Sequence, residues 1–372
     1  MKVLSLFDGM ACGMLAMTAA GVKVDRYVAY EIDKYAVQTS THNFPMIEHR
    51  GDVFVANFAE FEGFDFLVGG SPCTYWSIAQ KNNRETEASG MGWELFSQYV
   101  RALREAKPAF FIYENNKSMA PAIRASISEA FGFDPICINS ALVSAQNRQR
   151  LYWVGRRNPD GTYSKVDVKQ PADRGILLRQ ILERETHEQS YEMQTVGVGY
   201  RNRRESDGKL YRRFETHGKE KANALTTVQT DSMVAEPIRL GDIGSTAQAH
   251  RVYSCDGKSV TLNAGGGGQG GKTGLYFCQT DDCTADNLYN VVDGMVSIKG
   301  RSYPIKLADG LYIIRKLTVL ECQRLQTVPD EYEFPVSNAQ AYKMLGNGWT
   351  VEVIRHLIAS TLNTEEGDEW MY

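Results

Sequence analysis

The sequence contains no C-x-x-C pair, and its seven cysteines are an odd number. Neither a disulfide framework nor a zinc knuckle is expected. Cys278 and Cys283 are the nearest pair, but no matching His or Cys pair flanks them, so they read as separate thiols and no metal is expected. Long apolar runs are also missing. Met1-Lys2-Val3-Leu4-Ser5-Leu6-Phe7 is too short in apolar residues for a signal peptide, and no run approaches the length of a membrane-crossing helix. There is no excess of positive charge: 41 Lys and Arg face 45 Asp and Glu, a net −4. That excludes a uniformly basic nucleic-acid binder, though not a local basic surface. The expectation is a soluble, cytoplasmic protein with no membrane partner. With 43% hydrophobic and 23% charged residues, the 372-residue chain can fill one large core, or a core plus a smaller module.

The first half alternates strands and helices. Val3 to Phe7 is a short apolar run ending at Asp8-Gly9, and Met10 to Ala20 reads as a helix closed by Gly21. Arg26 to Tyr30 is a second strand, ending at Glu31, and Asp33 starts a helix reaching about His42. Phe64 to Val68 is a third strand, ending at Gly69-Gly70. Leu95, Tyr99, Val100 and Leu103 share a helical face, and Ala109 to Tyr113 forms a strand ending at Glu114. This alternation predicts an α/β fold: a doubly wound, mostly parallel sheet with helices on both sides and ligands at the carboxyl ends of its strands. Near residue 185 the character changes. From Gly197 to about Lys272 the chain is rich in Gly, Arg, Thr and Asn, and the run Gly265 to Gly271 fits no regular element. Helical order returns at Thr318, where Glu321 completes a capping box. A second helix with Gln340 at the same spacing begins near Ser337. The last helix carries Val351, Ile354, Leu357, Ile358 and Leu362 on one stripe, and the tail Glu365 to Glu369 reads as solvated.

The strand ends hold the chemistry. Phe7-Asp8-Gly9-Met10-Ala11-Cys12-Gly13 is a strand-to-helix turn able to offer backbone N–H groups, and it lacks the dinucleotide G-x-G-x-x-G spacing of a dehydrogenase. Glu31 is placed to pair with ribose hydroxyls and Asp52 to accept from an adenine amino group; each could equally be a loop or cap residue. Cys73 follows Gly69-Gly70-Ser71-Pro72 in a strand-end turn, where a thiol can serve as nucleophile; the alternative is a buried structural cysteine. The polar stretch Thr74 to Trp93 is long enough to be a functional loop. Glu114-Asn115-Asn116 could hydrogen-bond or protonate a ring nitrogen. Gln146, Arg148 and Arg150 alternate ahead of the strand Leu151 to Gly155, so their side chains are expected to point together. Two guanidiniums there could bind a carbonyl oxygen and lower a thiol pKa, or form a solvated basic edge.

Taken in order, these motifs resemble the DNA cytosine-5 methyltransferases over most of the chain except the insertion. The resemblance rests on Phe7-Asp8-Gly9, Glu31, Asp52, Pro72-Cys73, Glu114-Asn115, the Gln-x-Arg-x-Arg of Gln146 to Arg150, Arg315-x-Leu317-Thr318 with Arg324-Leu325-Gln326, and Gly346-Asn347-Gly348-Trp349. It implies a class I S-adenosylmethionine-dependent domain over 1–185 and 313–372, and an irregular, β-rich target-recognition domain over 186–312. It implies Cys73 as the nucleophile at carbon 6 of a flipped-out cytosine, Glu114 on N3, Arg150 on the O2 side and Arg148 in support. Phe7, Asp8, Gly9, Gly13, Glu31, Ile32, Asp52, Asn347 and Trp349 would bind the cofactor. Thr74, Gln80, Lys81 and Arg84 of the loop would meet double-stranded DNA. In the insertion, Arg201, Arg203, Arg204, Arg212 and Arg213, interleaved with Tyr200 and Tyr211, read as phosphate and base contacts; a solvated charged face, with Glu205, Asp207 and Glu215 mixed in, is the alternative. Four positions depart from the usual family pattern: Ser71-Pro72-Cys73-Thr74, Asn116, Ala11-Cys12 and Gly348-Trp349-Thr350. The Ser-Pro-Cys and the tryptophan are more similar to the animal de novo enzymes, whereas the compact chain is similar to phage and bacterial ones, in which the monomer is usual. A tRNA cytosine methyltransferase and a non-catalytic relative are the competing readings.

Overall fold

The computed structural model describes residues 1–77, 84–183, 197–204, 210–217, 239–243, 250–255, 257–262, 275–279, 288–298, 300–307, 309–315 and 317–362. The glycine run, Gln80, Lys81, Glu205, Asp207, Cys283 and the acidic tail lie outside them. Two compact units emerge: Met1–Ile176 with Thr261–Lys272 and Thr318–Tyr372, and Leu177–Val260 with Thr273–Leu317. Compared with an insertion at 186–312, the second unit begins earlier and ends later. The stretch Thr261–Lys272 belongs to the first unit.

The first unit is built on β1 (Lys2–Leu6), β2 (Arg26–Tyr30), β3 (Glu48–His49), β4 (Phe66–Gly69), β5 (Phe110–Asn116), β6 (Ile136–Asn139), β7 (Gln149–Arg157) and β8 (Tyr163–Lys165). Their order is β3-β2-β1-β4-β5-β7-β6, with β8 on β7. Strands β3, β2, β1, β4 and β5 pair in parallel, as the alternation predicts. Strand β7 instead runs antiparallel to both β5 and β6. Only residues 140–148 separate β6 from β7, too few for the crossover helix that a parallel return needs.

Helices cover the sheet. They are α1 (Cys12–Ala19), α2 (Lys34–Asn43), α3 (Gly90–Ala106), α4 (Pro121–Phe131), α5 (Val319–Leu325), α6 (Asn338–Asn347) and α7 (Val351–Leu362). Asp33 caps α2 by accepting from the Tyr35 N–H at 3.0 Å. The Thr318–Glu321 capping box closes in both directions, at 3.2 and 2.8 Å. Ser337 precedes α6 but makes no side-chain cap. Helix α7 is not a one-sided stripe: Val351 through Ala359 are all buried, including Glu352 and Arg355, which pair at 2.6 Å. Helix α3 starts at Gly90, so the connection after Cys73 is shorter than Thr74–Trp93, and Trp93 lies in the helix. Under α3 and α4 the core is aromatic: Phe96, Tyr99, Phe111, Tyr113, Phe131 and Trp153 meet ring to ring. Gly155 leaves room for Phe111, whose ring would stand 2.2 Å from any Cβ placed there.

The second unit is β-rich among its described residues. β9 (Gly197–Arg204) and β10 (Leu210–His217) form an antiparallel pair. β11 (Arg239–Asp242), β12 (Arg251–Ser254), β13 (Leu275–Gln279), β14 (Leu288–Val292), β15 (Met295–Ile298), β16 (Arg301–Pro304) and β17 (Gly310–Arg315) form a second sheet. Its order is β11-β12-β13-β17-β14-β15-β16. Leu240, Val252, Val291, Val296, Ile305 and Tyr312 make its core.

Candidate active site

The carboxyl ends of β1, β2, β4 and β5 open on one side of the sheet. After β1 the chain takes a tight turn in which Phe7, Gly9 and Ala11 all have left-handed backbone, at φ 57, 59 and 62°. Only the glycine adopts this freely; at Phe7 and Ala11 it carries strain. The turn is tied to the end of β2, because the Gly9 N–H donates to Glu31 Oε2 at 2.8 Å. Glu31 Oε1 accepts from the Ile32 and Asp33 N–H groups, both at 2.8 Å. Asp8 lies beneath. Its Oδ1 accepts from the Ser5 hydroxyl at 2.6 Å and the Tyr27 hydroxyl at 2.7 Å, while its buried Oδ2 has no partner among the described residues. Burial pushes the Asp8 carboxyl up to about 6; the two hydroxyls pull against it and the Glu31 charge adds to it.

Cys73 begins a single 3-10 turn, Cys73–Tyr75, just beyond β4. The serine ahead of it is integrated into the site. Ser71 Oγ lies 2.7 Å from Tyr113 Oη, and the Asn115 amide donates to the Ser71 carbonyl at 3.1 Å. The cysteine turn is thereby fastened to β5. Glu114, next to Tyr113, has each oxygen engaged. Oε1 stands 3.1 Å from Arg150 Nε and Oε2 accepts from Trp349 Nε1 at 3.0 Å. The two-guanidinium idea therefore divides. Arg150 faces the carboxylate, whereas Arg148 is 3% exposed and donates to the carbonyls of Leu262, Gly346 and Gly348 at 3.1, 3.3 and 2.9 Å. Arg148 holds the backbone before Trp349. Gln146 is fully buried, and its amide has no partner among the described residues. Burial pushes the Cys73 thiol up; Arg150 and, less, Arg148 pull it down, and Glu114 opposes them. The expected lowering by two cations is real in direction but smaller than the cost of burial.

Phe7, Asp8, Gly9, Glu31, Cys73, Thr74, Glu114, Arg148, Arg150, Asn347 and Trp349 line one cavity of about 220 Å³. Three expected cofactor residues do not line it. Gly13 is buried in α1, where a Cβ would stand 2.6 Å from Tyr27 Oη, so its smallness serves packing. Ile32 is 77% exposed beside the cavity. Asp52 is exposed and caps the next turn, accepting from the Phe54 N–H at 3.0 Å. Arg84 is not a free loop cation. It donates to the carbonyls of Trp76 at 3.2 Å and Ser118 at 2.6 Å, bracing the loop base against the turn that follows β5. The same base holds Trp76, fully buried, with its indole N–H on Glu85 Oε2 at 3.0 Å. In the second unit Arg201 lies opposite Arg213, Arg203 opposite Tyr211, Arg212 opposite Asn202 and Arg204 opposite Leu210 in the β9–β10 register. Their side chains lie outside the described residues. Sequence reasoning missed Ser5, Tyr27 and Tyr113 as partners of site residues, because all three sit inside strands that read as plain core. It also missed Lys343, on α6 at the cavity, which pairs with Asp33 at 2.6 Å.

A half-buried thiol, a carboxylate and a guanidinium around one cavity suit nucleophilic addition to a ring whose nitrogen can accept a proton. The buried Asp8 Oδ2, without a partner among the described residues, suits a cationic donor. Comparison with known proteins agrees with this class of chemistry. The family described as C-5 cytosine-specific DNA methylase matches residues 1–363, and the chain belongs to that family. It is a DNA (cytosine-5) methyltransferase. Among similar proteins, the orphan methyltransferase M.SPRI of Bacillus phage SPR is 26% identical, with 98% of each chain covered. The type II methyltransferase M.HhaI of Haemophilus parahaemolyticus is 24% identical, covering 98% of this chain and 95% of the other. In fold, the chain resembles the Dnmt2 methyltransferase of S. pombe, with TM-score 0.57 and 16% identity over 97% of this chain and 98% of that one. It also resembles the Entamoeba histolytica methyltransferase EhMeth, with TM-score 0.59 and 11% identity over 97% and 98%. No helix among the described residues is long and apolar enough to cross a membrane.

Proposed function

We propose that this enzyme methylates carbon 5 of a cytosine flipped out of duplex DNA, within a specific sequence, through a covalent bond between Cys73 and carbon 6. The observation that carries the reading is the convergence of Cys73, Glu114 and Arg150 on the cavity that also holds Asp8, Gly9 and Glu31. The orphaned Asp8 Oδ2 fits the α-ammonium of S-adenosylmethionine, and Glu31 on its backbone cradle fits the ribose side; Ile32, Asp52 and Asn347 would complete the binding. When bound, the cofactor supplies the electrophilic methyl that carbon 5 takes up, and it leaves as S-adenosylhomocysteine.

The residues divide the remaining work. Cys73, once its proton has left to solvent, forms a bond from sulfur to carbon 6. The ring electrons move toward N3, which takes a proton from Glu114 in its acid form, that proton having come from solvent. Arg150 holds the O2 side and keeps Glu114 oriented. After methyl uptake the carbon 5 proton goes to a base, the sulfur–carbon bond breaks with its pair returning to Cys73, and N3 returns its proton to Glu114. Extrusion of the base is required because carbon 6 is out of reach inside the stack. Thr74 and the following loop, including Gln80 and Lys81, would fill the gap left in the duplex. The second unit would read the target, with Arg201, Arg203, Arg204, Arg212 and Arg213 on phosphates and bases. We place the protein, as a monomer, in the cytoplasm of a bacterial or phage-infected cell.

The test is duplex DNA carrying 5-fluorocytosine, incubated with S-adenosylmethionine; once carbon 5 has taken the methyl, its fluorine cannot leave as a proton would. The intact protein should form a denaturant-stable adduct, and Cys73→Ala should form none. No adduct with the intact protein sinks the covalent reading. Transfer of labelled methyl to tRNA but not to DNA would replace the substrate.

A further inference from the structure

We propose that Trp349 is a positioning residue for Glu114, its indole N–H holding the carboxylate in the orientation that serves the target base. The proposal rests on the reading of Glu114 as the group that serves N3. Glu114 is confined on three sides. Arg150 Nε holds Oε1 at 3.1 Å and Trp349 Nε1 holds Oε2 at 3.0 Å. On the third side is Gly70, where a Cβ would come within 3.0 Å of Oε2 and 2.7 Å of the Glu114 carbonyl oxygen. The backbone packs so closely there that the carboxylate has little room to swing.

Trp349 is itself well fixed. The carbonyl of Gly348, just before it, accepts from Arg148 at 2.9 Å and from the Gln326 amide at 3.2 Å. Its ring reaches to 3.8 Å from where a Cβ on Gly13 would stand. The indole thus spans from the Asp8–Glu31 half of the cavity to the Cys73–Glu114 half. An indole N–H only donates, so it favours a carboxylate over a protonated acid. When Glu114 has given its proton away, the bond becomes charge-assisted and about twice as strong as a neutral one. Trp349 therefore helps after proton transfer more than before it, which raises kcat rather than substrate affinity.

Trp349→Phe keeps the ring and removes only the donor. We expect kcat to fall about tenfold or more, the loss that goes with a hydrogen bond to a charged group. The KM for DNA and the affinity for S-adenosylhomocysteine, measured by calorimetry, should stay within about twofold. In an E114Q background the second substitution should cost little further in kcat, because an amide has no proton to give and its orientation no longer limits the step. Three results would overturn the proposal: native kcat in W349F, equal loss of kcat and cofactor affinity, or the full W349F loss recurring on top of E114Q. Native kcat in E114Q would instead remove the role of Glu114, and the proposal with it. Should W349F not fold, the indole N–H resonances of native protein and E114Q decide. The chain has five tryptophans; one resonance, that of Trp349, should move on the Gln substitution, and no movement overturns the assignment.

Discussion

Replacing Arg148 by methionine keeps most of the side-chain stem and removes a guanidinium that is 3% exposed. That group reaches three backbone carbonyls: Leu262 at 3.1 Å, Gly346 at 3.3 Å from each terminal nitrogen, and Gly348 at 2.9 Å. Burial pulls its pKa down to about 10, so at neutral pH it is still a cation. Each carbonyl left without a donor costs roughly 1–3 kcal/mol. Part of the sum is offset because a buried charge no longer has to be desolvated. A net loss of about 3 kcal/mol is expected, concentrated where the carbonyls are, and that corresponds to roughly a hundredfold in a local opening equilibrium. Hydrogen exchange followed by mass spectrometry on peptides covering 340–352 reads this directly. R148M should exchange about a hundredfold faster there and nearly normally in α3 and α4. Arg148→Lys keeps the charge but loses the fork, so it should fall between. Native exchange in 340–352 for R148M would refute the role as a backbone anchor and return Arg148 to the substrate side of the site.

Two further outcomes follow from charges in the cavity. The Asp8 carboxyl is held at about 6, above its ordinary 3.8, so the folded protein binds its proton more tightly than the unfolded chain does. Stability is then full below the ordinary carboxylate range and falls as pH rises through about 6, by roughly 3 kcal/mol in total. Asp8→Asn should flatten this fall in urea unfolding at pH 4.5 and 7.5, and an unchanged pH dependence would contradict the assignment. Arg150 pulls the Cys73 thiol down against burial. Arg150→Met should therefore slow iodoacetamide alkylation of Cys73 at pH 8 by roughly threefold or more, followed on the Cys73 peptide. Faster alkylation would mean that Arg150 shields the thiol rather than activates it.

Much of this was legible in the sequence, where local chemistry decides the outcome. Asp33 and Thr318 announce α2 and α5 because a cap is a contact between near neighbours. Cys73, Glu31 and Glu114 stand out because a polar residue after an apolar run marks a strand end. Strand direction was not legible: nothing in Leu151 to Gly155 says that it runs against Glu114's strand. Arg148 and Arg150 look alike at a spacing of two. What separates them is a set of carbonyl oxygens from two distant segments, which carry no side-chain signal. Arg84 misled for a related reason, since an arginine among polar residues looks solvent-facing until the Ser118 carbonyl is placed under it. Ser71 seemed a departure without a reason until Tyr113, inside a strand, proved to be its partner.

The bond between Trp349 and Glu114 joins positions 235 residues apart in sequence. A ribosome delivers them in that order. The strand carrying Glu114 and the turn carrying Cys73 emerge early, while the wall completing the cavity emerges only after the second unit has been synthesised. Throughout that interval the nascent chain holds its nucleophile but lacks the tryptophan and the carbonyl turn that Arg148 secures. The cavity can therefore close only when two stretches of the first unit that lie on either side of the second unit in sequence are both present.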